Sequence, residues 1–169
     1  KEKNVYTIIQ KPLEELKALR EEKIVQKNLN IQANQSVTFD NLTNPLEINI
    51  EVDLTTDSNF EIAFNFSKND LKLEYDKVER LLTLDRTNSS DDFHRAFLDK
   101  FDVKINENKK LDLQIFLDWS SIEIFINNGE HVITSLCFPE EVNPVFEITS
   151  KINNLFISDF SIYSLKSIW

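Results

Sequence analysis

Apolar and polar side chains alternate with a period of two along segment after segment of this chain. Leu46, Ile48, Ile50, Val52 and Leu54 alternate with Glu47, Asn49, Glu51 and Asp53. Phe60, Ile62, Phe64 and Phe66 repeat the rhythm, as do Leu71, Leu73 and Tyr75, then Leu111, Leu113, Ile115 and Leu117, then Ile122, Ile124 and Ile126. Successive side chains of a strand point to opposite faces, so each segment reads as a strand with one face on a core and the other in water. Phe116 falls on the polar face of its segment. Shorter strands are expected at Leu81 to Asp85, Val132 to Phe138, Val145 to Thr149 and Leu155 to Leu165, and a less regular one at Ala96 to Val103. From Val37 onward the pattern is all strand. About ten short strands joined by polar loops are too many for one small sheet, and they predict two antiparallel sheets packed face to face.

The local chemistry at the turns agrees. The 169 residues include a single glycine, Gly129. It follows Asn128, and Asn-Gly suits a two-residue type I′ hairpin, whose central positions both need positive φ. Ahead of the strands, Pro12 suits the first turn of a helix. Leu13, Leu16 and Leu19 recur at helical spacing, with Glu14 and Glu15 early and Lys17 and Arg20 late. One short amphipathic helix is expected there, packing an apolar face on the sandwich or on a neighbouring domain.

Composition removes several function classes. A hydrophobic share of 41%, with 13 Phe, is ordinary globular material rather than a disordered chain. No run approaches the roughly 20 apolar residues of a membrane-spanning helix, and no signal peptide is visible behind Lys1-Glu2-Lys3-Asn4. No Met occurs, which predicts a chain cut from a longer precursor or processed at its start. A net charge of −10 leaves no basic stripe, which argues against nucleic acid and anionic membrane surfaces as partners. One glycine is too few for a phosphate-cradling loop. His94 and His131 lie far apart, without Cys or acidic partners at ligand spacing, so neither a metal nor a cofactor is expected. The lone Cys137, between Leu136 and Phe138, reads as a packed thiol and fits a reducing cytoplasm.

The run from Leu111 to Pro139 carries a more specific message. Asp118, Ser120, Ser121, Glu123, Phe125, Asn127, Gly129, Glu130, Thr134, Ser135, Phe138 and Pro139 resemble the signature of the C-terminal β-sandwich of glycoside hydrolase family 32. Three weaker segments resemble the family in the same order. Gln10, Pro12, Glu15, Leu16, Leu19 and Arg20 look like its interdomain linker. Leu84-Asp85-Arg86-Thr87-Asn88 is similar to its Leu-Asp-Arg-Ser element, and Leu165 to Trp169 to the ending of many members.

The resemblance implies an all-β, two-sheet antiparallel sandwich, jelly-roll or concanavalin-like, with a short N-terminal linker helix. Residues 1–22 would be the linker strand and helix, and residues 23–169 the sandwich. It implies a five-bladed propeller ahead of this domain in the parent chain. That propeller's three carboxylates would perform the retaining hydrolysis of the family. The strings that carry them, Trp-Met-Asn-Asp-Pro, Arg-Asp-Pro and Glu-Cys, are absent here, so no catalytic residue transfers to this sequence. The implied parent is a β-fructofuranosidase, with a cytoplasmic sucrose-6-phosphate hydrolase or invertase preferred over a secreted fructanase.

Two roles for the domain remain open from sequence. It stabilises the propeller and forms a homodimer contact, or it is a carbohydrate-binding module for a fructosyl sugar. The second role draws on Asp85, Arg86, Trp119 and Glu123 as a shallow pocket. The plainer reading of the same residues gives Arg86 a buried bidentate carboxylate partner and lets Asp118 close a polar turn with Ser120 or Ser121. Trp119 would stack on a sugar or contact another protein surface, and Trp169 would anchor the chain end. Adjacent acids such as Glu14-Glu15, Asp91-Asp92 and Glu140-Glu141 point different ways and do not converge as acid/base pairs. Ser120-Ser121 has no nearby base or elbow glycines, so it is no hydrolase nucleophile.

Overall fold

The computed structural model describes residues 8–90, 97, 99–106 and 108–166. His94, Trp169 and the Asp91-Asp92 pair lie outside them, as do Ala96 and Leu98 of the irregular strand expected from Ala96 to Val103, whose later part is β7. The described strands are β1 (Arg20–Ile31), β2 (Ser36–Phe39), β3 (Leu46–Asp53), β4 (Phe60–Asn65), β5 (Asp70–Asp76) and β6 (Leu81–Asp85). They continue with β7 (Lys100–Lys104), β8 (Lys110–Leu117), β9 (Ser121–Ile126), β10 (His131–Leu136), β11 (Val145–Ser150) and β12 (Leu155–Leu165). They form two six-stranded sheets. Sheet A has the order β1-β12-β3-β8-β9-β10, and sheet B the order β2-β11-β4-β5-β6-β7. Every pairing is antiparallel. The all-β sandwich expected from the alternation is therefore the fold.

The alternating apolar residues meet between the sheets. Ile48 and Ile50 of β3, Ile62 and Phe64 of β4, Leu71 and Leu73 of β5 and Ile122 and Ile124 of β9 are all fully or almost fully buried. Each such side chain contributes roughly 1.5–3 kcal/mol relative to an exposed one. An aromatic group bridges the sheets. The Phe160 ring lies 4.8 Å from Phe39 and 6.0 Å from Phe146, and Phe146 lies 5.2 Å from Phe64.

Three local readings differ from the structure. The expected helix is a 3-10 helix over Glu14–Leu19 with no buried residue and no side-chain cap. So short a segment is unstable as an isolated α-helix and needs a well-packed face, and here Leu16 and Leu19 are only half-buried. Second, the first strand among the described residues is β1 from Arg20, inside the stretch read as linker, where the alternation gives no sign of a strand; the linker strand expected ahead of the helix falls largely in residues 1–7, outside the described ones. Third, strand pairing at the hairpin stops at Ile126 and His131, leaving a four-residue loop rather than two. The type I′ geometry survives at its centre, with φ of 58° at Asn128 and 89° at Gly129. Asn127 is also left-handed, at 50°.

Candidate functional site

The four residues expected to form a pocket occupy two separate places. Asp85 ends β6 and turns the chain: it accepts from the Thr87 amide at 2.9 Å and the Thr87 hydroxyl at 2.7 Å, and pairs with Lys100 at 2.6 Å. Burial opposes its ionisation, but the Lys100 and Thr87 hydrogen bonds outweigh that and hold the carboxyl below its ordinary range. Arg86 folds onto the end of the sandwich. Its guanidinium lies 4.2 Å from the Phe97 ring centre and 4.9 Å from that of Phe101, and Nη1 donates to the Leu136 carbonyl at 3.2 Å. Among the described residues no carboxylate pairs with Arg86, and its Nε is buried without a partner. The bidentate pair expected there is formed elsewhere.

Trp119 sits at the β8–β9 corner, 55% exposed, its amide donating to Asp118 Oδ1 at 2.7 Å. Asp118 does close the corner, through its own amide to the Ser121 carbonyl at 2.8 Å. Trp119 and Glu123 share a groove of about 450 Å³ with Leu16, Leu19 and Phe116, which Asp85 and Arg86 do not line. The Cys137 thiol is pushed up to about 12 by burial, as befits a packed side chain.

A larger cleft, about 560 Å³, was not visible in sequence. Its roof is the linker from Lys11 to Lys17, and its floor is the outer face of sheet A. Here lies the buried bidentate pair. Arg20 Nε donates to Glu47 Oε2 at 2.7 Å, and Nη2 to Oε1 at 2.5 Å. The guanidinium also lies 4.3 Å from the Tyr163 ring centre. Glu47 is 1% exposed although its strand position had suggested water. Burial opposes its charge, but donors from Arg20, Gln114 and Asn49 hold its carboxyl below the ordinary range. The Glu47 hydrogen bond in turn raises the Arg20 pKa. No local signal links residues that stand 27 positions from each other.

The linker is held at a second point. Gln10 donates its amide to the Gly129 carbonyl at 3.2 Å. A Cβ added to Gly129 would stand 1.8 Å from the Gln10 carbonyl oxygen. The one glycine of the chain is thus required twice, for its backbone angle and for the crossing of another backbone. Among the described residues no group of three or more His, Cys, Asp or Glu side chains is placed to hold a metal ion.

Comparison with known proteins places this architecture. The family described as "Glycosyl hydrolases family 32 C terminal" matches residues 15–164. The chain belongs to that family, as its C-terminal domain. It is 30% identical to levanase of Bacillus subtilis (strain 168) over 169 residues, covering 96% of this chain and 25% of the levanase. It is 34% identical over 142 residues to sucrose-6-phosphate hydrolase of Vibrio alginolyticus, covering 82% of this chain and 26% of that protein. The chain therefore spans about a quarter of the length of these curated relatives. Among solved structures, exo-inulinase from Aspergillus awamori superposes with a TM-score of 0.79 at 22% identity, over 96% of this chain and 33% of the enzyme. Sucrose-6-phosphate hydrolase from Lactobacillus gasseri gives 0.73 at 24% identity, over 95% and 31%. These two likenesses establish the fold.

Proposed function

We propose that this domain is the non-catalytic sandwich of a β-fructofuranosidase, and that it stabilises the catalytic propeller by covering one of its flanks. The parent would hydrolyse sucrose, sucrose 6-phosphate or a fructan, as the named relatives suggest. The observation that carries this reading is the linker. It is clamped to sheet A by Arg20 and Glu47 and by Gln10 and Gly129, yet Ile8, Ile9 and Leu13 are 86%, 54% and 71% exposed. A clamped segment that leaves apolar side chains bare suits a second domain laid against it. A cytoplasmic setting and a homodimer contact belong to the same proposal. The uncharged centre of edge strand β10, with Leu136 half exposed, supports the latter.

The test is made in the full-length chain. Ile9→Asp combined with Leu13→Asp removes two apolar anchors of roughly 1.5–3 kcal/mol each when covered. The expected result is a melting temperature lowered by several degrees, at about 2–4 °C per kcal/mol for a domain this size, with kcat/KM for sucrose unchanged in the folded enzyme. An unaltered melting temperature would show that nothing covers these residues.

A further inference from the structure

The cleft beneath the linker holds more hydrogen-bond acceptors than the protein uses. Glu47 takes donors from Arg20, from Gln114 Nε2 at 2.8 Å and from Asn49 Nδ2 at 3.3 Å. That carboxylate can only accept, so it fixes which way both amides point. The Asn49 Nδ2 has one further acceptor, Ser161 Oγ at 3.4 Å. The carbonyl oxygens of Asn49 and Gln114 are left without a protein donor among the described residues. Asn49 and Gln114 are directly paired across β3 and β8, so the two oxygens belong to neighbouring positions on one face.

Asp112 extends the row. It lies two residues from Gln114 on β8 and lines the same cleft, and no cation or donor among the described residues meets its carboxylate. Burial pushes its pKa up, and the Glu51 carboxylate adds to that. The Lys110 ammonium near this end is already bound to Glu51 at 2.5 Å. Beside the acceptors stands an aromatic wall. Phe125 is paired with Gln114 across β8 and β9, and Phe116 meets it edge-on at 6.1 Å and 89°.

We infer that this cleft binds a neutral, hydroxyl-rich sugar unit, with its hydroxyls donating to Asn49, Gln114 and Asp112 and its C–H face resting on Phe125. The argument is one of complementarity. The charges lining the cleft balance, Lys11, Lys17, Arg20 and Lys27 against Glu14, Glu47, Asp112 and Asp159, and Lys17, Arg20 and Lys27 are already paired, so no net positive field draws an anion. A divalent cation would find no cluster of three ligands among the described residues. Sugar hydroxyls donate in several directions at once, and sugar rings carry an apolar face suited to aromatic carbon. About 560 Å³ accommodates one or two such rings. The site is distinct from the Asp85, Arg86, Trp119 and Glu123 set. Only the choice of fructosyl probes rests on the function proposed above.

The experiment is an amide and side-chain NMR titration of the 169-residue chain with sucrose, levan oligosaccharides and inulin oligosaccharides, with maltotriose as a non-fructosyl sugar. The expected result is saturable, millimolar binding of at least one fructosyl probe, shifting the Asn49 and Gln114 side-chain amides. Asp112→Ala, which removes no protein hydrogen bond, should weaken it about tenfold, the loss for one bond to a charged group. Phe125→Ala should weaken it comparably, and the dispersion of the spectrum reports whether that variant stays folded. No binding up to tens of millimolar would overturn the inference, as would binding that both variants leave intact. The docking test above reads melting temperature alone, so the two proposals fail separately.

Discussion

Gly129→Ala is the sharpest probe of how the linker is attached. Two costs are expected. At a φ of 89° an L-residue is strained, by about 1–2 kcal/mol. The added Cβ would also lie 1.8 Å from the Gln10 carbonyl oxygen, a backbone atom that can yield only if the linker lifts. Lifting it loses the Gln10 to Gly129 hydrogen bond, about 0.5–1.5 kcal/mol net. The sum is about 1.5–3.5 kcal/mol. Urea unfolding followed by far-UV circular dichroism would read it as a midpoint shift of about 1 M, for a slope of about 2–3 kcal/mol/M. The two costs are separable, because a chain beginning at Pro12 has no Gln10 to collide with. In that background Gly129→Ala should retain only the backbone cost. Equal destabilisation in both backgrounds would refute the crossing as a constraint, and a loss below about 0.5 kcal/mol in the longer chain would refute both costs.

The buried pair and the lone thiol give two further tests. Glu47 has a depressed folded pKa, so its stabilisation is complete above the unfolded value of 4.5 and is lost as pH falls through the folded value. Urea midpoints measured between pH 6 and pH 3 should fall with acid, and Glu47→Gln should flatten that stretch of the curve. An unchanged slope would remove Glu47 from the acid response. Arg20→Ala leaves a carboxylate 1% exposed without its cation and should cost about 3–5 kcal/mol at pH 7, partly recovered near pH 4. Cys137, with its thiol pushed up to about 12, should resist a disulfide reagent at pH 8 in the native chain and react at once in urea. Rapid native labelling would contradict the packing described around it.

The central strands were legible because each puts one face on the core. Leu111 to Leu117 and Ile122 to Ile126 alternate in sequence and alternate in burial. β1 was not, because it is an edge strand in which, among the residues whose burial is described, only Ile31 is fully buried, Ile24 and Leu29 are partly so, and Val25 is exposed among Lys, Gln and Asn. Its register comes from β12, which lies more than a hundred residues away in sequence. The linker helix misled for a related reason: leucines at helical spacing announce a helix only where a surface receives them, and here none is buried. Glu47 illustrates the limit at the site. Its place in an alternating strand suggested water, and only the return of Arg20 and the linker over sheet A turned that face inward. The glycine was legible as a turn, whereas the crossing of Gln10 was not, because it depends on tertiary placement.

The pairing of Arg20 with Leu165, and of Lys166 with the Leu19 carbonyl, brings the start of β1 and the finish of β12 to one corner. In mechanical terms that is a zipper. Tension between those two points pulls across the ladder rather than along it, so the rungs from Arg20 toward Ile31 open in succession instead of sharing the load. The sandwich would yield by peeling its outermost strand at low force, with the layers behind β12 still closed.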